Sequence, residues 1–236
     1  VIKPTKEPLV ATIYQLKPAF QNLLRPCCRW LANRGVTANQ VTLAATALSV
    51  GTGLLLWRTA AAMPWTFALL PIVLFIRMGL NAIDGMLARE HNMKSDLGFL
   101  LNELGDVVSD IALILPFIAI AGIPNSLIVA TALLAGMVEF VGVLGIAVGK
   151  ERRYEGPMGK SDRAFMLGLL GTLLAVGLEP GLWSHALLGW MVLGSCLTVW
   201  KRGAAALVSA DAANAAPAAP TAPAAPATLE VAHVRA

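Results

Sequence analysis

The chain has 236 residues, 57% hydrophobic and 14% charged, with a mean hydropathy of +0.69 and a net charge of +4. A soluble domain carries nearer 25% charged residues, so this composition excludes an ordinary soluble globular protein and points to one embedded in a membrane. Cys27, Cys28 and Cys196 show neither a zinc spacing nor a disulfide framework.

Residues 1–16 read as a polar N-terminal extension without the short apolar core of a cleavable signal peptide. Residues 17–35 then predict an amphipathic helix lying at the membrane interface. Phe20, Leu23, Leu24, Cys27, Trp30 and Leu31 recur at helical spacing, with Arg25, Arg29 and Arg34 between them. The adjacent cysteines read as small apolar filler, with palmitoylation as the alternative in a eukaryotic cell. Gly35 suits the exit of this helix and Thr37 the cap of the next.

A membrane-spanning helix needs about 20 predominantly apolar residues. Six stretches qualify as candidates, near 40–57, 64–90, 96–122, 126–149, 162–178 and 181–200, and Pro116 is expected to bend the third. The expected architecture is an all-α integral membrane protein, with six transmembrane helices over residues 36–202 behind the interfacial helix. Residues 203–236 form an Ala/Pro-rich tail that cannot bury a core and is expected to be disordered.

Arg25, Arg29, Arg34, Arg89, Lys94, Lys150, Arg152, Arg153, Lys160, Arg163, Lys201 and Arg202 fall on one side of this arrangement, while the opposite loops hold little beyond Arg58. By the positive-inside rule, both termini and the acid-rich stretch at 81–110 face the cytoplasm. The basic excess is then topology and attraction to anionic lipid, not a nucleic-acid footprint.

Ionisable groups inside a membrane helix cost about 2.5–3.5 kcal/mol each on insertion scales, so they are functional candidates. Asn81, Asp84, Gly85 and Ala88 share one face of the second span, at i, i+3, i+4 and i+7. Gly98, Asn102, Asp106 and Asp110 follow i+4 steps along one face of the third. The two helices are antiparallel across a short loop near His91–Ser95, so the faces can meet near one membrane surface, with glycines leaving room for something bulky. Carboxylate and amide oxygens without His or Cys suit Mg²⁺ or Mn²⁺, and magnesium prefers to share its shell with substrate phosphates. The bland alternative is that the acids pair with Arg77 and Arg89 or face water.

At these residues the chain resembles the CDP-alcohol phosphatidyltransferases, whose signature is D-x2-D-G-x2-A-R-x8-G-x3-D-x3-D. Here it reads Asn81, Asp84-Gly85, Ala88-Arg89, Gly98, Asn102 and Asp106, with every spacing kept and six of eight named positions matched. The stretch "GVTANQVT" at 35–42 is similar to the T-P-N-x-[LI]-T that members often carry before the first span, with Ala38 in place of Pro. The resemblance implies transfer of a phosphatidyl group from a CDP-linked lipid, such as CDP-diacylglycerol, to an alcohol, with release of CMP. That is phosphoryl transfer, in which positioning and charge neutralisation dominate. Carried over, Asp84 and Asp106 are metal ligands and Asp106 is also the candidate base, while Gly85, Ala88, Arg89 and Gly98 form the CDP-binding set. It also implies a bacterial inner-membrane protein and a homodimer.

The departures are Asn81 and Asn102, where the signature has Asp. An amide oxygen coordinates without supplying charge, so the four positions bring two formal negatives instead of four. Asp110, one turn deeper, is the candidate replacement ligand, with a structural contact to Arg77 as its alternative. Glu139 reads as structural, paired with Arg77 or protonated in an apolar setting. In the basic loop before the fifth span, Lys160 and Arg163 are candidates for the acceptor or its phosphate, near a helix start that favours anions. Three other readings compete: a non-catalytic lipid- or nucleotide-binding descendant; a UbiA-type prenyltransferase, from N-x3-D-x3-D at Asn102, Asp106 and Asp110; and a transporter. The prenyltransferase reading lacks its second Asp-rich motif, since Asp162 stands alone. The transporter reading lacks a midplane site.

Overall fold

The computed structural model describes residues 13–149 and 151–215, with side chains described over 18–149 and 151–210. Residues 1–12, Lys150 and the Ala/Pro-rich residues 216–236 lie outside the described residues. Seven α-helices follow in order: α1 (Ile13–Asn33), α2 (Ala38–Thr59), α3 (Leu69–Glu90), α4 (Asp96–Ile114), α5 (Asn125–Gly149), α6 (Lys160–Ala175) and α7 (Leu182–Ala215). Short 3-10 segments precede α3 (Pro64–Ala68) and follow α4 (Leu115–Ala119). Among the described residues there is no strand.

The boundaries follow local chemistry. The chain leaves α1 through Gly35 at φ +76°, the left-handed conformation that glycine adopts without Cβ strain. Thr37 then caps α2 in a reciprocal box: its hydroxyl accepts from Gln40 N at 3.3 Å, and the Gln40 side chain accepts from Thr37 N at 2.9 Å. Ser95 caps α4 by accepting from Gly98 N at 3.0 Å, and Asp162 accepts from Gly159 N at 3.0 Å at the start of α6. Pro116 lies where α4 tightens into its 3-10 extension, as its missing N–H requires.

Four helical segments are long and apolar enough to cross a membrane: Ala38–Thr59, Pro64–Glu90, Asn125–Gly149 and Leu182–Ala210. The other two expected spans fall short of that standard for visible reasons. Helix α4 carries Asp96, Glu103, Asp106 and Asp110, and α6 has only 16 residues, opening on Lys160, Asp162 and Arg163. The last helix also runs past the expected boundary at residue 202 as far as Ala215, so the tail begins with helix. Its alanines favour that continuation.

Helix α1 lies on α3, with Phe20 edge-on to Phe75 at 6.2 Å and Arg25 paired with Glu90 at 3.0 Å. Cys28 is fully buried and packs near Ile83, Met86 and Leu87, so it is core filler, whereas Cys27 is exposed. Burial pushes the Cys28 thiol pKa up. Helix α2 packs on α3 and α4, α5 on α7, and α6 on α3. Gly53 admits the close α2–α4 approach, because a Cβ there would run into the Ala112 carbonyl. The bundle is apolar at one end, where Phe67 and Phe117 stack at 4.4 Å among Leu56, Leu70, Leu113 and Ile128. Toward the α3–α4 loop the core changes character, with Arg77, Asp84, Asp106, Asp110, Glu139, Arg163 and Arg202 all buried.

Candidate functional site

Buried charges persist only when paired and hydrogen-bonded, and here the pairing runs from helix to helix. Arg77 on α3 donates to Asp110 Oδ1 at 2.7 Å and to Asp106 Oδ1 at 3.1 Å. Arg163 on α6 grips Asp110 Oδ2 with a two-nitrogen fork at 2.9 and 2.7 Å, and reaches Glu139 on α5 at 2.6 Å. Arg152 bridges Glu139 and Glu103, both at 2.8 Å, and stacks on Tyr154 at 4.6 Å. Although burial works against its charge, Glu103 holds the Arg152 guanidinium pKa above its ordinary value. Arg202 on α7 donates to the Val138 and Glu155 carbonyls at 2.6 and 3.2 Å, tying the α5–α6 loop to α7.

Above this network opens a cleft of about 1010 Å³, walled by α2, α3, α4, the α5–α6 loop and the start of α6. Asn81, Asp84, Gly85, Ala88, Arg89, Gly98, Asn102 and Lys160 line it. The expected meeting of the α3 and α4 faces is therefore present. Asn81 Nδ2 donates to Asp106 Oδ1 across the helix pair at 3.4 Å. Asp106 is 3% exposed and adjoins the cleft through two residues that line it, Asn81 and Lys160, the ammonium of Lys160 reaching Asp106 Oδ2. Asp84 accepts a hydrogen bond from Thr42 Oγ1 at 2.8 Å. Arg89 folds back one turn over Gly85, where a Cβ would lie 3.2 Å from its guanidinium.

Several expected roles change. Asp110 faces away from the cleft, with both carboxylate oxygens engaged by Arg77 and Arg163. It meets Arg77 as the structural alternative anticipated, and the guanidiniums leave no oxygen free for an ion. Arg163 is 1% exposed and committed to Asp110 and Glu139, so it does not present itself to an acceptor. Glu139 pairs with Arg163 and Arg152, not with Arg77. Gly98 lines the cleft, but a Cβ there would lie 2.7 Å from Asn39 Oδ1, so its small size also serves α2–α4 packing. Among the described residues, no three His, Cys, Asp or Glu side chains cluster as a ready-made metal cage.

The sequence did not single out Thr42, Asn39, Glu103 or Tyr154 and placed Arg152 only among the basic residues of the loop before α6, yet all five line the cleft. For Thr42 and Asn39 a signal existed, since both belong to the "GVTANQVT" stretch before the first span. Glu103 sits beside Asn102 outside the signature spacing, and nothing in the sequence pairs it with Arg152.

Comparison with known proteins gives a consistent picture. The chain is 52% identical over 197 residues to the inner membrane protein YnbA of Escherichia coli (strain K12), covering 80% of this chain and 96% of that protein. Its fold is similar to that of Mycobacterium tuberculosis phosphatidylinositol phosphate synthase (PgsA1), solved with CDP-DAG bound, at TM-score 0.63 and 21% identity over 77% of this chain and 92% of that one. A second structure of that synthase, with manganese and citrate, gives TM-score 0.63 at 20% identity over 77% of this chain and 87% of that one. The profile of the CDP-alcohol phosphatidyltransferase family matches residues 35–200, a stretch containing the whole spaced signature and excluding the prenyltransferase reading. With the signature faces meeting at one charged cleft and the profile spanning helices α2–α7, the chain belongs to the CDP-alcohol phosphatidyltransferase family.

Proposed function

We propose that this protein transfers a phosphatidyl group from a CDP-linked lipid such as CDP-diacylglycerol to a small alcohol, releasing CMP during phospholipid synthesis. The observation that carries this reading is Asp84 in the cleft wall, with Asp106 adjoining the cleft through its contacts to the lining residues Asn81 and Lys160. The CDP-DAG held by the M. tuberculosis synthase supports the donor class, and the manganese in its second structure supports a divalent ion.

The residues present fit such an ion. Asp84 supplies a carboxylate that lines the cleft and accepts from Thr42 alone among the side chains, Asp106 adds a second carboxylate that meets Lys160, and Asn81 and Asn102 add neutral amides. Hard oxygen donors in this number leave coordination positions for substrate phosphate. When bound, Mg²⁺ or Mn²⁺ neutralises the diphosphate. The chain's own residues do the rest. Asp106 takes the proton of the acceptor hydroxyl, whose oxygen attacks the phosphorus bearing the diacylglycerol as the bond to CMP breaks. Gly85, Ala88 and Gly98 give the nucleotide a low wall, Arg89 meets phosphate at the mouth, and Lys160 faces the reacting groups.

Helices α4 and α6 complete six membrane crossings in this reading, because their buried charges, Asp106, Asp110 and Arg163, point into the paired interior and not toward lipid. The basic loops put both termini and the cleft at the cytoplasmic face of a bacterial inner membrane. Membranes containing the protein should release CMP from CDP-diacylglycerol only with Mg²⁺ or Mn²⁺ and a suitable alcohol, and Asp106→Ala should abolish it. Full activity of that variant, or no CMP with a broad acceptor panel, refutes the assignment. The second outcome would favour a non-catalytic lipid-binding subunit, a reading supported by the saturation of Asp106 with Arg77, Asn81 and Lys160.

A further inference from the structure

Aspartate at all four signature positions would bring four negative charges, the formal charge needed to balance two divalent ions. This chain has two, Asp84 and Asp106, and the structure shows what faces the second of them. One Asp106 oxygen accepts from Arg77 at 3.1 Å and from the Asn81 amide at 3.4 Å. The other meets Lys160. An aspartate at position 81 would turn a second carboxylate toward Asp106 and require a cation between them. The Asn81 amide puts an N–H there instead, and the opposite amide orientation would set oxygen against oxygen.

Asp84 is different. It accepts from Thr42 at 2.8 Å, lies at the cleft wall, and has no lysine or arginine within salt-bridge distance among the described residues. The position of Lys160 also needs a cause, because an ammonium in the first turn of α6 opposes the helix dipole. Asp106 supplies that cause. The Asn102 amide nitrogen, for its part, donates to Glu103 at 3.4 Å, an acid already bridged to Arg152.

We propose that this site takes a single divalent ion, on the Asp84 side, and that Lys160 on Asp106 is the resident positive charge replacing a second one. The proposal rests on the transferase reading for the identity of the substrate diphosphate but not for its ion count. Lys160 thereby becomes a positioning and charge-balancing residue of the diphosphate site. This differs from the acceptor-contact role expected from sequence.

Mn²⁺ alone, titrated into the purified full-length protein and followed by electron paramagnetic resonance, reads this directly. One ion per chain is expected for the wild type and two for the Asn81→Asp/Asn102→Asp double variant. Lys160→Gln should bind Mn²⁺ at least about tenfold tighter, since it uncovers the Asp106 carboxylate, whereas Lys160→Arg should keep the wild-type stoichiometry and affinity. Size-exclusion chromatography identifies variants that fail to fold, and the partly exposed Lys160 carries the test if the double variant does. Two ions or none on the wild type, or unchanged affinity in a folded Lys160→Gln, overturns the proposal. CMP release measured in parallel separates the two conclusions. Two ions with CMP released sinks only the single-ion inference, and one ion without CMP sinks only the transferase reading.

Discussion

Replacing Arg163 by Met tests whether that guanidinium holds the frame or handles substrate. The side chain is 1% exposed and makes three charged hydrogen bonds, two to Asp110 and one to Glu139, plus one to the Met158 carbonyl at 3.2 Å. Removing one partner of a buried ion pair costs about 3–5 kcal/mol, because the remaining charge stays in a low-dielectric setting. Two carboxylates are exposed to that penalty here. Each keeps other partners, Arg77 for Asp110 and Arg152 with Arg202 for Glu139, so the single-pair range is the appropriate scale. For a chain of this size that loss lowers Tm by about 6–20 °C. The assay is thermal unfolding of the detergent-solubilised protein, run beside CMP-release kinetics over a range of acceptor concentrations. Arg163→Lys should recover only part of the loss, since a lysine supplies charge without the two-nitrogen fork. A Tm within about 2 °C of wild type, together with a raised KM for the acceptor, would refute the structural assignment and return Arg163 to the acceptor site.

Asp110→Asn should lower Tm for the same reason yet leave the Mn²⁺ titration midpoint unchanged, because Asp110 faces guanidiniums and not the cleft; a weakened titration would restore it as a ligand. Thr42→Val removes the 2.8 Å donor to Asp84, a charged hydrogen bond worth about 1.5–3 kcal/mol, and should reduce CMP release by about tenfold or more with little change in fold by circular dichroism. Gly53→Val drives a side chain into the Ala112 carbonyl and should destabilise the α2–α4 contact by about 1–3 kcal/mol, measured by thermal unfolding; an unshifted Tm would contradict the close helix approach.

Much of this protein was legible before any fold was known, wherever the determinant is local. Helical spacing put Asn81 and Asp84 on one face and Gly98, Asn102 and Asp106 on another, and a five-residue loop obliges adjacent helices to run back together. Thr37 and Gly35 declared their boundaries because capping and left-handed turns are properties of single residues. Span counting was less secure. Hydropathy rates a helix by its whole surface, whereas α4 and α6 turn Asp106, Asp110 and Arg163 inward to partners on other helices.

What the tertiary structure alone decided is the partnership of each buried charge. Asp106 and Asp110 lie one turn apart on the same helix and look equivalent along the chain. Yet Asp106 meets the cleft-lining Lys160, while Asp110 is closed off between Arg77 and Arg163. Glu139 and Arg152 are 13 residues apart, and Glu103 and Arg152 are 49 apart. Sequence determined which residue types are present and which faces they occupy, because helical periodicity is local. Whether a carboxylate meets an ammonium, a guanidinium or the cleft depends on side chains from other helices and from the α5–α6 loop, and only their packing fixes that.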